Sequence, residues 1–205
     1  MKNASIAVVA FAAFLALGFA VTHGGEPAPL AAWAHALLDH GTLVAWWLTW
    51  SCYPQVLVPV AVVLLVIAWR VPSWRARIVF SVILLLLCWQ GADLFQHVFM
   101  RPRRLDWVVR HEHAFSYPSS HAAIATGFYA LWAAMLYASD LPRGARAVAA
   151  TCLLLLALAV CWSRLAVGAH YVTDLLGGVL LAIALVAGAL ALVPVKVFAS
   201  PAGRP

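Results

Sequence analysis

Long runs of hydrophobic residues dominate the chain, and short clusters of polar residues separate them. A helix needs roughly 18 to 20 apolar residues to cross the hydrocarbon core of a bilayer. Runs of about this length predict six membrane-spanning helices, at about 4–22, 54–70, 78–99, 119–138, 146–163 and 171–195. The pattern therefore predicts an all-α, polytopic membrane protein whose six transmembrane helices form one bundle.

Two segments near the N-terminus allow more than one interpretation. Lys2 and the apolar stretch that runs to about Thr22 resemble a signal peptide, but no small-x-small cleavage site follows cleanly, which favours an uncleaved first span. The stretch 28–53 carries four tryptophans, and tryptophan favours the boundary between membrane and water. We therefore expect an interfacial helix there rather than a seventh span, lying over the site as a lid or resting on the membrane.

Composition supports a single membrane domain over residues 1–205. Of the 205 residues, 65% are hydrophobic and only 10% are charged, whereas a soluble domain of this length needs far more polar surface. The formal net charge of +6 is dispersed among the hydrophobic spans, so no nucleic-acid partner is expected. The four cysteines have no paired short spacing and are expected to be small core residues.

Basic residues between the spans predict the orientation in the membrane, because cytoplasmic loops carry an excess of Lys and Arg. In the six-span layout most of them fall on one side: Lys2, Arg70, Arg75, Arg77, Arg143, Arg146, Lys196 and Arg204. This layout predicts a multi-pass protein of a bacterial-type inner membrane, with both termini in the cytoplasm.

One loop on the opposite side breaks this charge pattern. Residues 101–117 are predicted to lie outside, yet they include Arg101, Arg103, Arg104 and Arg110. Guanidinium groups pair with phosphate oxygens in a bidentate manner, so an anionic ligand explains the loop. Contact with anionic lipid head groups is the alternative explanation.

Three polar segments are predicted to reach this outer face: 101–104, 118–121 and 163–174. In the last of them, His170 and Asp174 are four positions apart, which places both on one helix face, one turn apart. The carboxylate can accept the imidazole N–H and leave the other ring nitrogen free as a nucleophile. A structural histidine at a helix start would show the same spacing.

The polar residues around this pair suit a phosphate group. Arg164 can fold back over the attacked group, although arginines near span ends also snorkel to the interface. Pro118, Ser119 and Ser120 begin the fourth span, where a helix N-terminus presents N–H groups and partial positive charge. His121 can protonate a leaving alkoxide there, or be an interfacial histidine in an ordinary capped helix.

Metal-binding signatures are missing from the sequence: it has no HExxH, no CxxC, no carboxylate cluster and no P-loop glycine pattern. Arginines would then stabilise the equatorial phosphate oxygens during in-line transfer, as metals do elsewhere. We therefore expect phosphotransfer with no metal and no other cofactor.

The three segments resemble the tripartite signature of the type 2 phosphatidic acid phosphatase family, which also includes vanadium haloperoxidases. The third motif of that family, Ser-Arg-x5-His-x3-Asp, is met in full by Ser163, Arg164, His170 and Asp174. The second motif, Pro-Ser-Gly-His, is met except that Ser120 stands where glycine is usual.

The first motif, Lys-x6-Arg-Pro, is met only in part. Arg103 aligns with its arginine, but Gln96 replaces the lysine and Arg104 replaces the proline. Glutamine donates a hydrogen bond without a charge, and loss of one charge-assisted contact weakens transition-state stabilisation by roughly a few kcal/mol. Arg101 and Arg104 are the candidates for compensation. The motifs lie within 96–174, and the six-span layout extends the match over nearly the whole chain.

The resemblance implies an active site at the extracytoplasmic end of the bundle. His170 would form a phosphohistidine, Asp174 would orient it, and His121 would act as general acid and later activate water. The residues implied or suggested to bind the phosphate are Arg103, Arg164, Ser119, the backbone N–H of Ser120, Gln96 and Arg101.

The function implied is that of a membrane lipid phosphatase acting on a phosphate monoester or diphosphate. Substrates that the resemblance suggests are undecaprenyl diphosphate, which we favour, phosphatidic acid, phosphatidylglycerol phosphate and lipid A phosphate. A lipid phosphotransferase with an acceptor other than water would use the same motifs, and a catalytically lapsed member of the family would also retain most of them.

A non-enzymatic lipid carrier or transporter is the alternative of another class. It would line its pathway with Asp93, Gln96 and His97 on the third span. Such a protein has no need of an imidazole held by a carboxylate one turn away, which argues against it. The sequence leaves the oligomeric state open.

Overall fold

The computed structural model describes residues 2–38, 42–104 and 114–193, and these segments consist of helices joined by short irregular connections, without a strand. The first five helices are α1 (Lys2–Gly24), α2 (Ala28–Ala36), α3 (Thr42–Trp50), α4 (Pro54–Arg70) and α5 (Pro72–Phe99). The remainder are α6 (Ser120–Ile124), a π-helical turn (Ala125–Ala130), α7 (Leu131–Tyr137), α8 (Arg143–Ala166) and α9 (Val172–Leu192).

Proline residues mark several helix starts. Pro54 and Pro72 occupy the first position of α4 and α5, where the missing N–H has no intrahelical acceptor to lose. Pro142 directly precedes α8 in the same way. Met100 adopts a left-handed conformation (φ 49°) and ends α5. The irregular segment 101–104 follows it.

Four helices, α1, α5, α8 and α9, are long and apolar enough to cross a membrane, and α3 with α4 forms a fifth candidate that is bent by 42° at its break. The prediction of an all-α protein with several membrane-crossing helices is thus confirmed, while the count of six spans stays a prediction. The predicted fourth span is divided by the π-helical turn. The stretch 28–53 forms two helices, α2 and α3, instead of the one that we expected.

The core of the bundle lies where α1, α5 and α9 meet the segment before α6. Tyr117 stacks on Phe14 at 5.5 Å between ring centroids, and its hydroxyl donates a hydrogen bond of 2.6 Å to the Phe14 carbonyl. A Cβ atom at Gly177 would overlap the Tyr117 ring, so the ring fits only because α9 has glycine there. The packed Tyr117 side chain thereby fixes the depth at which residues 118–121 enter the bundle.

Helices α1 and α9 pack antiparallel and define two ends of the molecule. At one end Asn3 donates to the Leu190 carbonyl (3.3 Å), and at the other Glu26 accepts the Thr173 N–H (3.3 Å). The first we call the basic end, because it carries Arg70, Arg75, Arg77, Arg143 and Arg146. The second, the site end, collects 24–26, 99–104, 114–121 and 163–174. The two sets of polar residues thus lie apart, as the charge pattern predicted.

The cysteines that the structure describes in this bundle form no disulfide bond. All four are described and are free thiols, and Cys52 and Cys88 are buried. Cys88 packs against Gly127 of the π-helical turn, as expected for a small core residue, whereas Cys152 is exposed and does not meet that expectation.

Candidate active site

The connection between α8 and α9 places His170 at the centre of the site end, fully buried. Gly168 turns the chain there with φ 71°, a conformation that other residues rarely adopt. Nδ1 of His170 lies 3.3 Å from Asp174 Oδ2, and Nε2 lies 3.0 Å from Arg103 Nη1. Because a guanidinium group only donates, Nε2 is the acceptor and the proton sits on Nδ1, facing Asp174. The lone pair of Nε2 is therefore the nucleophilic one.

Polar groups surround the carboxylate of Asp174, at the third position of α9. Oδ2 accepts the Tyr171 N–H at 2.9 Å and the Ser116 hydroxyl, in addition to His170, while Oδ1 accepts Arg101 Nη1 at 2.6 Å. A carboxylate in the first turn of a helix also interacts favourably with the helix dipole. These contacts fix the orientation of Asp174 towards the imidazole.

The protonation state of His170 follows from its surroundings. Burial and, after it, the positive charge of Arg103 lower the pKa of His170 from its usual value of 6.5 to about 4, although the hydrogen bond with Asp174 acts in the opposite direction. The imidazole is consequently neutral near pH 7, which is the state that a nucleophile needs.

Arg103 reaches the nucleophilic face of the site. Its Nε donates to the Ala114 carbonyl (2.6 Å) and its Nη1 to the Ala169 carbonyl (3.0 Å) as well as to His170. The guanidinium therefore bridges the segments on both sides of the site. The arginine that the first motif singled out is the one that contacts Nε2 of His170.

Arg101 lies on the opposite side of Asp174. Its guanidinium is 3% exposed and pairs with two carboxylates, Asp174 through Nη1 and Glu26 through Nη2 at 3.1 Å. Nη1 also donates to the Thr173 hydroxyl (2.8 Å). We expected Arg101 to bind phosphate, but the structure directs its guanidinium to carboxylates.

The start of α6 is tied directly to α9. The Ser119 N–H donates to the Asp174 carbonyl (3.0 Å), and the Ser119 hydroxyl accepts the Ala122 N–H (3.4 Å) as the helix cap. A Cβ at Gly178 would overlap the Ser119 carbonyl oxygen, so this close approach requires glycine on α9. Residues 119–121 are thereby brought to the same depth as the His170–Asp174 pair.

A cleft of about 390 Å³ opens beside these groups. Four of the predicted site residues line it together: Gln96, Arg103, Ser120 and His121. Trp89 and Ile124 add apolar surface, and the His121 ring lies edge-on to Tyr53 of the α3–α4 connection at 5.2 Å. The cleft thus has polar groups suited to a phosphate and apolar surface suited to the lipid part of a substrate.

Gln96, which stands where the family has lysine, is buried, and its amide Nε2 donates to the Pro118 carbonyl at 2.9 Å. The glutamine therefore holds the segment before α6 against α5. It brings a hydrogen-bond donor to the cleft without the charge of a lysine.

Arg164, at the end of α8, is 1% exposed, and its positive charge also lowers the pKa of His170. Its Nη1 lies 3.5 Å from the Thr49 hydroxyl, which in turn hydrogen-bonds to the Ser163 hydroxyl at 2.8 Å. Thr49 belongs to α3, in the tryptophan-rich stretch. That stretch therefore contributes a buried residue to the site.

Four residues of the site were missed by the sequence analysis: Glu26, Thr49, Ser116 and Thr173, the last at an unspecified position of the third motif. Thr49 and Ser116 are common polar residues outside any motif and gave no signal. Glu26 did give a signal in the sequence, because it is the first acidic residue of the chain and follows a long apolar stretch. Arg104 is buried near the Tyr171 ring, whereas Arg110 lies outside the described residues.

Comparisons with known proteins show the fold and the family of the chain. No curated protein matches the chain. The fold is similar to the crystal structure of the first transmembrane PAP2 type phosphatidylglycerolphosphate phosphatase from Bacillus subtilis, with a TM-score of 0.70 and 21% identity over 90% of this chain and 95% of that one. At this identity the likeness shows a shared fold. The model of the PAP2 superfamily matches residues 94–198, about half of the sequence and all three motifs, and the chain therefore belongs to the PAP2 superfamily.

Proposed function

We propose that this protein is a membrane lipid phosphatase that cleaves a phosphate monoester or diphosphate through a phosphohistidine on His170. The observation that carries the proposal is the set of partners of the His170 ring. Nδ1 faces the carboxylate of Asp174 and Nε2 faces Arg103 at 3.0 Å, and Arg103 lines the cleft together with His121.

In the first step Nε2 of His170 attacks phosphorus, and the bond from phosphorus to the lipid oxygen breaks. His121 donates a proton to that leaving oxygen, and Asp174 stabilises the positive charge on the phosphorylated imidazole. In the second step His121 accepts a proton from water, the resulting hydroxide attacks phosphorus, and the N–P bond breaks. Free phosphate and the neutral imidazole of His170 are the result.

Arg103 and Arg164 would stabilise the charge on the transferring phosphoryl group. The Arg103 guanidinium lies on Nε2, where phosphorus must approach. A phosphate oxygen is a stronger partner for it than a neutral ring nitrogen, because both groups are then charged. We infer that Arg103 turns from Nε2 to the phosphate when substrate binds.

The remaining phosphate contacts are proposed from the cleft and the family pattern. Ser119 and the Ser120 N–H would bind the phosphate at the start of α6, and Gln96 would donate from α5. For Arg101 we propose a different role, because its buried guanidinium already pairs with Glu26 and Asp174. It would orient Asp174 and would not touch the phosphate.

The proposed setting is a six-span domain in a bacterial-type inner membrane, with the site end at the extracytoplasmic face. The concentration of Arg70, Arg75, Arg77, Arg143 and Arg146 at the basic end supports this orientation. A site at the membrane boundary suits a lipid that stays in the leaflet while its head group enters the cleft.

We propose that the reaction needs no metal. In the part of the chain that the structure describes, no three His, Cys, Asp or Glu side chains group closely enough to hold a metal ion. The two arginines at the nucleophile can supply the positive charge instead. Phosphate release in the presence of EDTA tests this directly.

Two alternatives lead to different products. A phosphotransferase would pass the phosphoryl group from His170 to a lipid or sugar hydroxyl, so the product would be a phosphorylated acceptor. A lipid carrier would release nothing. Of the three side chains that the carrier hypothesis needs inside a pathway, Asp93 and Gln96 line the cleft, but His97 does not and is more than half exposed on α5, which favours the enzyme.

The test is phosphate release in detergent with EDTA, from undecaprenyl diphosphate, phosphatidic acid and phosphatidylglycerol phosphate. His170→Ala is expected to reduce release by about 10⁴-fold or more. His23→Ala, which removes an exposed histidine at the end of α1, is the matched control and should keep full activity. Release that persists in His170→Ala would contradict the nucleophile assignment. A phosphorylated acceptor in place of free phosphate would favour the transferase.

A further inference from the structure

Glu26 is a buried carboxylate that neither the motifs nor the proposed chemistry uses. It lies in the connection between α1 and α2, outside residues 94–198, and its side chain is 3% exposed. Burying a carboxylate is costly unless charged or polar groups compensate it. The contacts of Glu26 therefore indicate what it does.

All the contacts of Glu26 described here lead to the two residues beside Asp174. Its Oε2 accepts Arg101 Nη2 at 3.1 Å and the Thr173 hydroxyl, and its Oε1 accepts the Thr173 N–H at 3.3 Å. The Thr173 hydroxyl in turn accepts Arg101 Nη1 at 2.8 Å. Glu26 thus satisfies a free N–H at the start of α9 and closes a ring with the arginine that binds the catalytic carboxylate.

Arg101 and His170 share the carboxylate of Asp174. Oδ1 accepts Arg101 at 2.6 Å, whereas Oδ2 lies 3.3 Å from Nδ1 of His170, so the arginine makes the shorter contact. Without Glu26, the charge of Arg101 would face Asp174 alone and Nη2 would lose its acceptor. The carboxylate would then be drawn towards the guanidinium and away from the imidazole.

We propose that Glu26 is a positioning residue for the nucleophile: it anchors Arg101 and Thr173 so that Asp174 stays directed at Nδ1 of His170. The first helix and the loop after it are then part of the catalytic machinery, although they contact no reacting atom. The kinetic part of this inference rests on the proposed phosphatase function. Its geometric part does not.

The kinetic test compares Glu26→Gln with the wild type. Gln cannot accept all three hydrogen bonds and has no charge, so Asp174 should shift and kcat should fall about 10- to 100-fold. KM should stay within about threefold, because Glu26 does not touch the substrate. Asp140→Asn, which removes an exposed carboxylate at the basic end, should keep the wild-type kcat. An unchanged kcat in Glu26→Gln would overturn the inference.

A second measurement does not need the reaction. The ¹⁵N shifts of His170 in histidine-labelled protein, assigned by difference from His170→Ala, report which ring nitrogen carries the proton. We expect the Nδ1–H form in the wild type and a growing share of the Nε2–H form in Glu26→Gln. Identical shifts in both proteins would overturn the positioning role even if neither protein hydrolysed a lipid phosphate. The absence of lipid phosphate hydrolysis in the wild type would separately reject the proposed function.

The conservative variant guards against a folding defect. Glu26→Asp keeps the charge but shortens the side chain, so it should retain more activity and more of the Nδ1–H form than Glu26→Gln. If Glu26→Gln does not fold, the same two measurements on Glu26→Asp decide. Wild-type kcat together with wild-type shifts in Glu26→Asp would then count against the inference.

Discussion

At the site end, Arg101 and Arg164 are at most 3% exposed and hydrogen-bond to side chains, whereas at the basic end Arg75 and Arg146 donate to backbone carbonyls. Arg75 Nε contacts the Ala68 carbonyl at 3.0 Å and Arg146 Nη1 the Ser139 carbonyl at 2.9 Å. Carbonyls at helix ends accept any nearby donor, but a buried ring of side chains fixes each guanidinium in one geometry.

The glycines of α9 differ between the ends in the same way. At the site end a Cβ on Gly178 would overlap the Ser119 carbonyl oxygen, whereas at the basic end a Cβ on Gly188 would meet Ala7 Cβ at an ordinary 3.8 Å. The contact of α9 with the start of α6 is therefore packed to tight tolerance, and its contact with α1 at Gly188 is not. Residue type alone does not reveal function: Arg103 also donates to backbone carbonyls, and its contact with Nε2 of His170 is what sets it apart from the arginines of the basic end.

The largest expected difference between the ends is in the arginines. Arg103→Gln and Arg164→Gln should each lower kcat/KM by about 10²- to 10³-fold, because each removes a charged donor from the transferring phosphoryl group. Arg146→Gln should change it less than about twofold. Phosphate release from the same lipid measures all three. A loss in Arg146→Gln as large as in the other two would erase the distinction between the ends.

Substitutions at Gly178 and Gly188 test how closely α9 packs at each of these two positions. Gly178→Ala should lower the free energy of unfolding by about 1–3 kcal/mol and also reduce kcat, since the start of α6 must move away from α9. Gly188→Ala should be neutral or stabilising by up to about 1 kcal/mol, because alanine is the better helix former. Denaturant unfolding in detergent provides the comparison. Equal effects at both positions would mean that the tight contact at Ser119 is not maintained.

Gln96→Lys adds the charge that the first motif has and this chain lacks. With Arg101 held by two carboxylates, we expect no full compensation, so kcat/KM should rise about tenfold, the lower end of what a charge-assisted hydrogen bond contributes. Gln96→Met, which loses the bond to Pro118, is the control and should lower it. If the lysine variant shows no gain, another cation already serves the phosphate, and the buried Arg104 is the candidate.

The smallest expected effect is the change of kcat/KM with pH. Burial and Arg103 hold the pKa of His170 near 4, so the imidazole stays neutral and kcat/KM should change less than about twofold through His170 between pH 7 and 5, then fall as the pH drops through about 4. Removing the positive charge in Arg103→Gln should raise this pKa and move the loss to higher pH.

The phosphate of the substrate also titrates near this range, but it is common to both proteins. Because His121, the proposed general acid, lines the same cleft as Arg103, the ¹⁵N shifts of His170 are followed over the same pH range in both proteins, since they report this ring alone. A shift to lower pH in the variant would contradict the placement of Arg103 beside Nε2.

The sequence by itself determined the all-helical class, the position of the long apolar helices and the His170–Asp174 pair, but not the division of the predicted fourth span or the two helices within 28–53. Hydrophobic run length sets where helices can cross a bilayer, and a spacing of four sets which side chains share a helix face. Both are properties of neighbouring residues, so no knowledge of packing is needed. Ser163 and Arg164 of the third motif could likewise be identified from residues close to them in the sequence.

Only the tertiary structure decided which polar residues support that pair. Glu26 meets Arg101 across 75 positions, and Thr49 meets Arg164 across 115. The tertiary structure also distinguished Arg101, which pairs with carboxylates, from Arg103, which contacts the imidazole of His170. In the sequence both are simply arginines of one loop. Such contacts depend on how whole helices pack, and that depends on close approaches such as Gly178 against Ser119, which no local pattern encodes.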